Sequence, residues 1–147
     1  MRMKQYDNVT CLAGVINVST RPFEPYYELL CKFLNDLSSE LRSKDDSSAY
    51  PDVIAFAFWC RKANITRLKK GFNNKETRLG LGLIFHITPS NVPINFAFSF
   101  IFGLLSGNAN IVRVPSNPFL QIEIICSAIN QLFLSAKYKE IKEMTSF

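Results

Sequence analysis

The 147 residues include 48% hydrophobic and 20% charged side chains and carry a formal net charge of +5. This balance excludes a disordered chain and a fibrous repeat, and the length suits one domain with its own core rather than two. Thirteen phenylalanines in a chain this short require a large aromatic surface to be buried somewhere.

The opening "MRMKQYDNVT" lacks the apolar segment of a secretion signal, so a cytoplasmic location and reduced thiols are expected. Cys11, Cys31, Cys60 and Cys126 show neither CxxC nor Cys/His ligand spacing, so no metal site is expected. "LAGVINV" has the character of a short strand. From Pro25 to Arg42, Tyr27, Leu30, Phe33, Leu34, Leu37 and Leu41 recur at three- and four-residue intervals, which predicts one amphipathic helix. "SKDDSSAYP" reads as a polar loop, and Pro51 suits a first helical turn, where its missing donor costs nothing. A second helix is predicted over Pro51 to Lys70, with Ile54, Phe58, Arg61 and Ile65 along one line and Lys69, Lys70 and Gly71 at its end.

Across residues 61–78, Arg61, Lys62, Arg67, Lys69, Lys70, Lys75 and Arg78 face one acid, Glu76. With no aromatic platform interleaved, they read as a solvated helix end and loop, and no nucleic-acid partner is expected. "FNNKET" follows as a turn.

Between Arg78 and Arg113 no residue is formally charged, which raises the question of a membrane span. A spanning helix needs about 20 apolar residues in one piece. Here "LGLGLIFHI" and "INFAFSFIFGLL" are divided by the polar, proline-containing "HITPSNVP", so no transmembrane segment is expected. The pieces read instead as a buried strand from Leu79 to Ile87 and a helix from Pro93 to Leu105, capped by Asn91 and ended by Gly107 and Asn108. "NANIVRV" predicts a second strand. After "PSNP", Ile122, Ile125, Cys126, Ile129, Leu132 and Phe133 mark a third helix. "KYKEIKEMTSF" reads as polar and helix-like. Strand, helix, strand, helix with apolar strands is the pattern of an α/β parallel sheet covered on both faces.

In such a sheet ligands bind beyond the carboxyl ends of the strands. Thr88, Pro89, Ser90 and Asn91 occupy that place, offering hydroxyl and carboxamide groups beside a helix start suited to anions. Gly80 and Gly82 do not complete a GxGxxG fingerprint; they read as small residues where another element packs closely. His86 reads as a hydrogen-bonded core histidine. Arg113, ending the second strand, is either a cation receiving the extra phosphate of NADP or an arginine that is paired or solvated.

"GLIFHITPSNVPINFAFSFIFGLLSGNANIVRVPSNPF", residues 82 to 119, resembles the N-terminal nucleotide-binding region of the long-chain acyl-thioester reductases. These are the LuxC-type acyl-CoA reductases, a branch of the aldehyde dehydrogenase superfamily. "YPDVIAFAFWCRKANI", residues 50 to 65, is similar to the helix before that region. The resemblance implies an incomplete Rossmann-like, aldehyde dehydrogenase-like parallel sheet with preceding helices. Residues 1–50 form an N-terminal helical segment and residues 51–147 a partial nucleotide-binding domain.

It implies reduction of an acyl-CoA or acyl-protein thioester to a fatty aldehyde with NADPH, through an acyl group held on an enzyme cysteine. Pro89, Asn91 and Pro93 match the Pro-x-Asn-x-Pro motif whose asparagine donates to the thiohemiacetal oxygen. Thr88, Pro89, Ser90, Asn91, Arg113, Pro115 and Ser116 fall at cofactor-binding positions. Where the superfamily commonly has a ribose-contacting lysine, this chain has Val114, with Arg113 one residue earlier. None of the four cysteines lies in a matching motif. The expectation is therefore a truncated reductase, inactive alone, whose partner is a complementary C-terminal half. The alternative is a non-catalytic module that associates with a full-length reductase or an acyl-transferring protein.

Overall fold

The computed structural model describes residues 9–72 and 76–147; the opening residues 1–8, Lys75 and the middle of the "FNNKET" turn lie outside that description. Four helices come first: α1 (Glu28–Ser43), α2 (Asp45–Ser48), α3 (Pro51–Trp59) and α4 (Lys62–Gly71). Then follow β1 (Leu83–Ile87), α5 (Asn95–Leu105), β2 (Ala109–Arg113), α6 (Leu120–Phe133), a 3-10 turn at Ala136–Tyr138, α7 (Lys139–Glu143) and β3 (Thr145–Ser146).

The fold is α/β: three parallel strands in the order β1-β2-β3, with β1 at an edge. Parallel strands require crossovers, and α5 supplies the first. It lies on the face of the sheet that carries His86 and Asn110, because Gly103 of α5 approaches both side chains so closely that a Cβ there would overlap them. No described helix is long and apolar enough to cross a membrane.

α1 forms much of the core. Leu30, Phe33, Leu34, Leu37 and Leu41 are fully buried, each stabilising the fold by roughly 1.5–3 kcal/mol. Phe33 stacks on Phe133 of α6 at 5.6 Å and meets Tyr138 edge-on at 5.2 Å. Tyr27, placed on the buried line by its spacing, lies just before α1 and is exposed, stacked on Phe23 at 5.0 Å. α6 buries Ile122, Ile125, Cys126, Ile129 and Phe133, as its spacing predicts, while Leu132 of the same line is only partly buried.

The long helix expected over Pro51 to Lys70 is two helices. Pro51 opens α3, but Arg61 is extended between α3 and α4. Two carboxamides stabilise the break: Asn35 of α1 accepts from the Lys62 amide at 3.0 Å, and Asn64 donates to the Trp59 carbonyl at 2.8 Å. The buried face of α3 is accordingly Val53, Phe56 and Ala57, with Phe58 exposed. The polar "SKDDSSAYP" loop contains the single helical turn α2.

β1 is shorter than Leu79 to Ile87. Gly80 lies against the Gly107 carbonyl, where no side chain would fit, and its amide donates to Phe23; Gly82 has φ +115°. "LAGVINV" forms no strand: Gly14 makes one antiparallel bridge to Ser146, and an added Cβ would overlap the Thr145 carbonyl. The C-terminal residues are not all helical, since Thr145 and Ser146 pair in parallel with Asn110 and Ile111.

The sheet is not covered on both faces. Side chains alternate along a strand, so Leu83, Phe85 and Ile87 point away from α5. They remain 46%, 59% and 67% exposed.

Candidate functional site at the carboxyl edge of the sheet

Beneath the edge, a chain of side-chain amides ties β1 to β2. Asn108 is buried, and its Oδ1 accepts from the Leu81 amide at 2.6 Å and the Gly82 amide at 3.2 Å. Asn110, also buried, donates to the Asn108 carbonyl at 2.7 Å. Its Oδ1 lies 2.9 Å from His86 Nε2, so with the amide donating elsewhere the imidazole is the donor in this pair. His86 is thus a hydrogen-bonded structural histidine under the sheet.

At Ile87 the chain leaves β1. Thr88 Oγ1 is buried without a hydrogen-bond partner. Pro89, Ser90 and Asn91 are exposed, with Ser90 and Asn91 in a turn before α5. Asn91 does not cap the helix. α5 begins at Asn95 behind Ile94, which provides no side-chain cap, while the Asn95 amide donates to the Val92 carbonyl at 3.4 Å. A helix start inside the Pro93–Leu105 reading is possible because the turn meets those amides with backbone carbonyls. The Asn91 carboxamide makes no hydrogen bond among the described residues and is exposed.

Arg113, beside Ile87 in the parallel register, ends β2. It is exposed and makes no ion pair among the described residues. Pro115 is buried and Ser116 exposed. The loops after β1 and β2 meet through Asn117, whose amide donates to the Ser90 carbonyl at 3.2 Å. Thr88, Pro89, Ser90, Asn91, Arg113, Pro115 and Ser116 therefore share one edge. Asn117 is the member that sequence reasoning missed, since an asparagine in "PSNP" reads as ordinary turn chemistry.

None of the four cysteines is hydrogen-bonded to this edge. Burial pushes the Cys60 thiol far up, and burial followed by the neighbouring Cys11 raises Cys126 to about 12. Cys31 is raised by burial, partly offset by the Lys69 charge. Cys11 contacts the Ala13 carbonyl at 3.4 Å and the Ser146 hydroxyl at 3.9 Å. Cys60, Cys126 and Cys31 are therefore held as neutral thiols near pH 7, and the thiolate is the nucleophilic form.

A free carboxamide and an unpaired guanidinium, those of Asn91 and Arg113, stand exposed at the exits of adjacent parallel strands, where they could hold an anionic group. No curated protein and no solved structure matches the chain. The sequence model of the family described as Acyl-CoA reductase (LuxC) matches residues 60–138, which include α4, β1, α5, β2, α6 and every residue of this edge. The chain belongs to the LuxC acyl-CoA reductase family.

Proposed function

We propose that this edge is the nucleotide-binding edge of an incomplete Rossmann-like, aldehyde dehydrogenase-like unit that serves NADPH-dependent reduction of a fatty acyl thioester to an aldehyde. Residues 51–147 form the nucleotide-binding half, supported by the helices of residues 1–50. The observation that carries this reading is the unpaired Asn91 carboxamide at the exit of a parallel strand in a LuxC-family chain.

NADPH, when bound, supplies the hydride. Asn91 donates its amide to the oxygen that gains negative charge as a thiolate adds to the acyl carbonyl. Such a donor is worth about 3 kcal/mol in acyl transfer. Ser90 offers an exposed hydroxyl, Arg113 receives a phosphate, and Pro115 and Ser116 border the cofactor beside it. The exposed, unpaired state of Arg113 supports this role over an ion-pair role.

The reactive thiolate comes from polypeptide outside these residues, either further sequence of the same protein or a separate chain. Two features support this. Three of the cysteines are held protonated, and among the described residues β1 has a free edge with an apolar face. Incubation of the chain with NADPH and a long-chain acyl-CoA is expected to form no aldehyde, and adding the cysteine-bearing region of a family reductase to restore it. Aldehyde formation by the chain alone would remove the division of labour. The alternative is a non-catalytic module that binds a full-length reductase or an acyl-carrying protein, and it draws on the same apolar face. Stable co-purification with such a partner, without any gain in turnover, would favour it.

A further inference from the structure

A recess lies between α1 and α4, with a volume of about 460 Å³. That is within the range of small-molecule sites, roughly 300–1,000 Å³. Lys32 borders it from α1, and Lys62, Thr66 and Lys69 border it from α4. Positions 62, 66 and 69 share one helical face, so both α4 lysines flank the same opening. Buried Ile65 and half-buried Cys31 form part of its wall.

The charge in this recess is not balanced. Of its two carboxylates, Asp36 is committed elsewhere: it accepts from Lys137 Nζ at 2.8 Å and from the Tyr138 hydroxyl. Glu28 is left as the uncommitted carboxylate of a lining that includes Lys32, Lys62 and Lys69. Lys32 and Lys62 make no ion pair among the described residues, and Lys69 donates only to the Tyr26 carbonyl, at 3.1 Å. Like charges gathered in a recess repel, and a bound anion relieves that repulsion. Lys62 and Lys69 are about 10 Å apart along the helix. Their flexible stems can converge on an elongated diphosphate more readily than on one tetrahedral ion.

We infer that the α1–α4 recess binds a small diphosphate-bearing anion through Lys32, Lys62 and Lys69, at a site separate from the sheet edge. This inference does not depend on the reductase reading. The diphosphate could be inorganic or part of a nucleotide, and titration separates these sources.

The test is calorimetric titration of the whole chain with inorganic pyrophosphate, orthophosphate and ADP at fixed ionic strength. Pyrophosphate is expected to bind with 1:1 saturation, and orthophosphate at least tenfold more weakly. Tighter binding of ADP, lost in the Lys32→Ala/Lys62→Ala pair, would identify a nucleotide ligand of the recess, and equal binding lost in the same pair the diphosphate group alone; ADP binding that the pair leaves unchanged belongs to the sheet edge and does not support the recess. Lys32, Lys62 and Lys69 are exposed, so the Lys32→Ala/Lys62→Ala pair should fold and weaken pyrophosphate at least tenfold. Arg67→Ala/Lys70→Ala alters the same basic stretch outside the recess and should change affinity less than twofold.

A second readout is alkylation of Cys31 in a Cys11→Ser background, which pyrophosphate should slow. The inference is overturned by non-saturating heats, by equal affinity for the two inorganic anions, by equal losses in the two double variants, or by Cys31 alkylation that pyrophosphate leaves unchanged.

Discussion

Asn108 shows how much one buried carboxamide can fix. Its oxygen satisfies the amides of Leu81 and Gly82, where the chain turns past two glycines into β1. Replacing it with alanine leaves two donors without partners, a loss of about 1–3 kcal/mol for each one that stays buried. Asn108→Ala is therefore expected to lower the unfolding midpoint by several degrees in a thermal melt. An unchanged midpoint would mean that water replaces the side chain. Arg113 is the opposite case, an exposed guanidinium with no internal partner. In an assembled enzyme, Arg113→Ala should weaken NADPH at least tenfold more than NADH in equilibrium titration. Equal losses would remove the arginine from the phosphate site.

Among the elements, the helices were the most legible in the sequence, because three- and four-residue spacing translates directly into a buried stripe. That spacing gave the faces of α1 and α6, with Leu30, Phe33, Ile125 and Ile129 inside. The break between α3 and α4 was hidden because its stabilising groups come from different elements, Asn35 from α1 and Asn64 from α4. β3 was hidden for a similar reason. Two residues cannot establish a period, and Thr145 and Ser146 become a strand only against Asn110 and Ile111. At the edge, the "HITPSNVP" loop was legible from its polarity, but Asn91 was misread as a helix cap and the Asn117 link between loops left no signal.

The tie between α1 and the C-terminal turn also depends on distant residues. Burial alone would raise the Asp36 carboxyl; hydrogen bonds from Lys137 and Tyr138 more than offset it and hold it below its ordinary value. A lowered carboxyl stabilises the fold above its unfolded pKa near ~4. That contribution disappears as pH falls through the lower folded value. Asp36→Asn should therefore destabilise the protein in denaturant titrations at neutral pH, and the difference should vanish in strong acid. Tyr138, raised to about 12 chiefly by burial and then by Asp36, has the opposite dependence. Its contribution is full below about pH 10 and is lost as pH rises through the folded value. A difference between Asp36→Asn and the unaltered protein that persisted into strong acid would show the contact to be steric rather than ionic.

At the scale of the whole molecule, one face of the sheet is packed by α5 while the other shows Leu83, Phe85 and Ile87 to solvent. Exposed apolar strands beside an unpaired edge are the places where further polypeptide adds. In the division proposed above, this chain would position nucleotide and oxyanion donor, and the polypeptide bearing the thiolate would add at this face. Its most direct test is the steady-state rate of NADPH-dependent aldehyde formation by the assembled enzyme, with Asn91 intact and as Asn91→Ala. Turnover at saturating NADPH should fall about 100-fold. Unchanged turnover, or a loss explained wholly by weaker cofactor binding, would contradict the role given to Asn91.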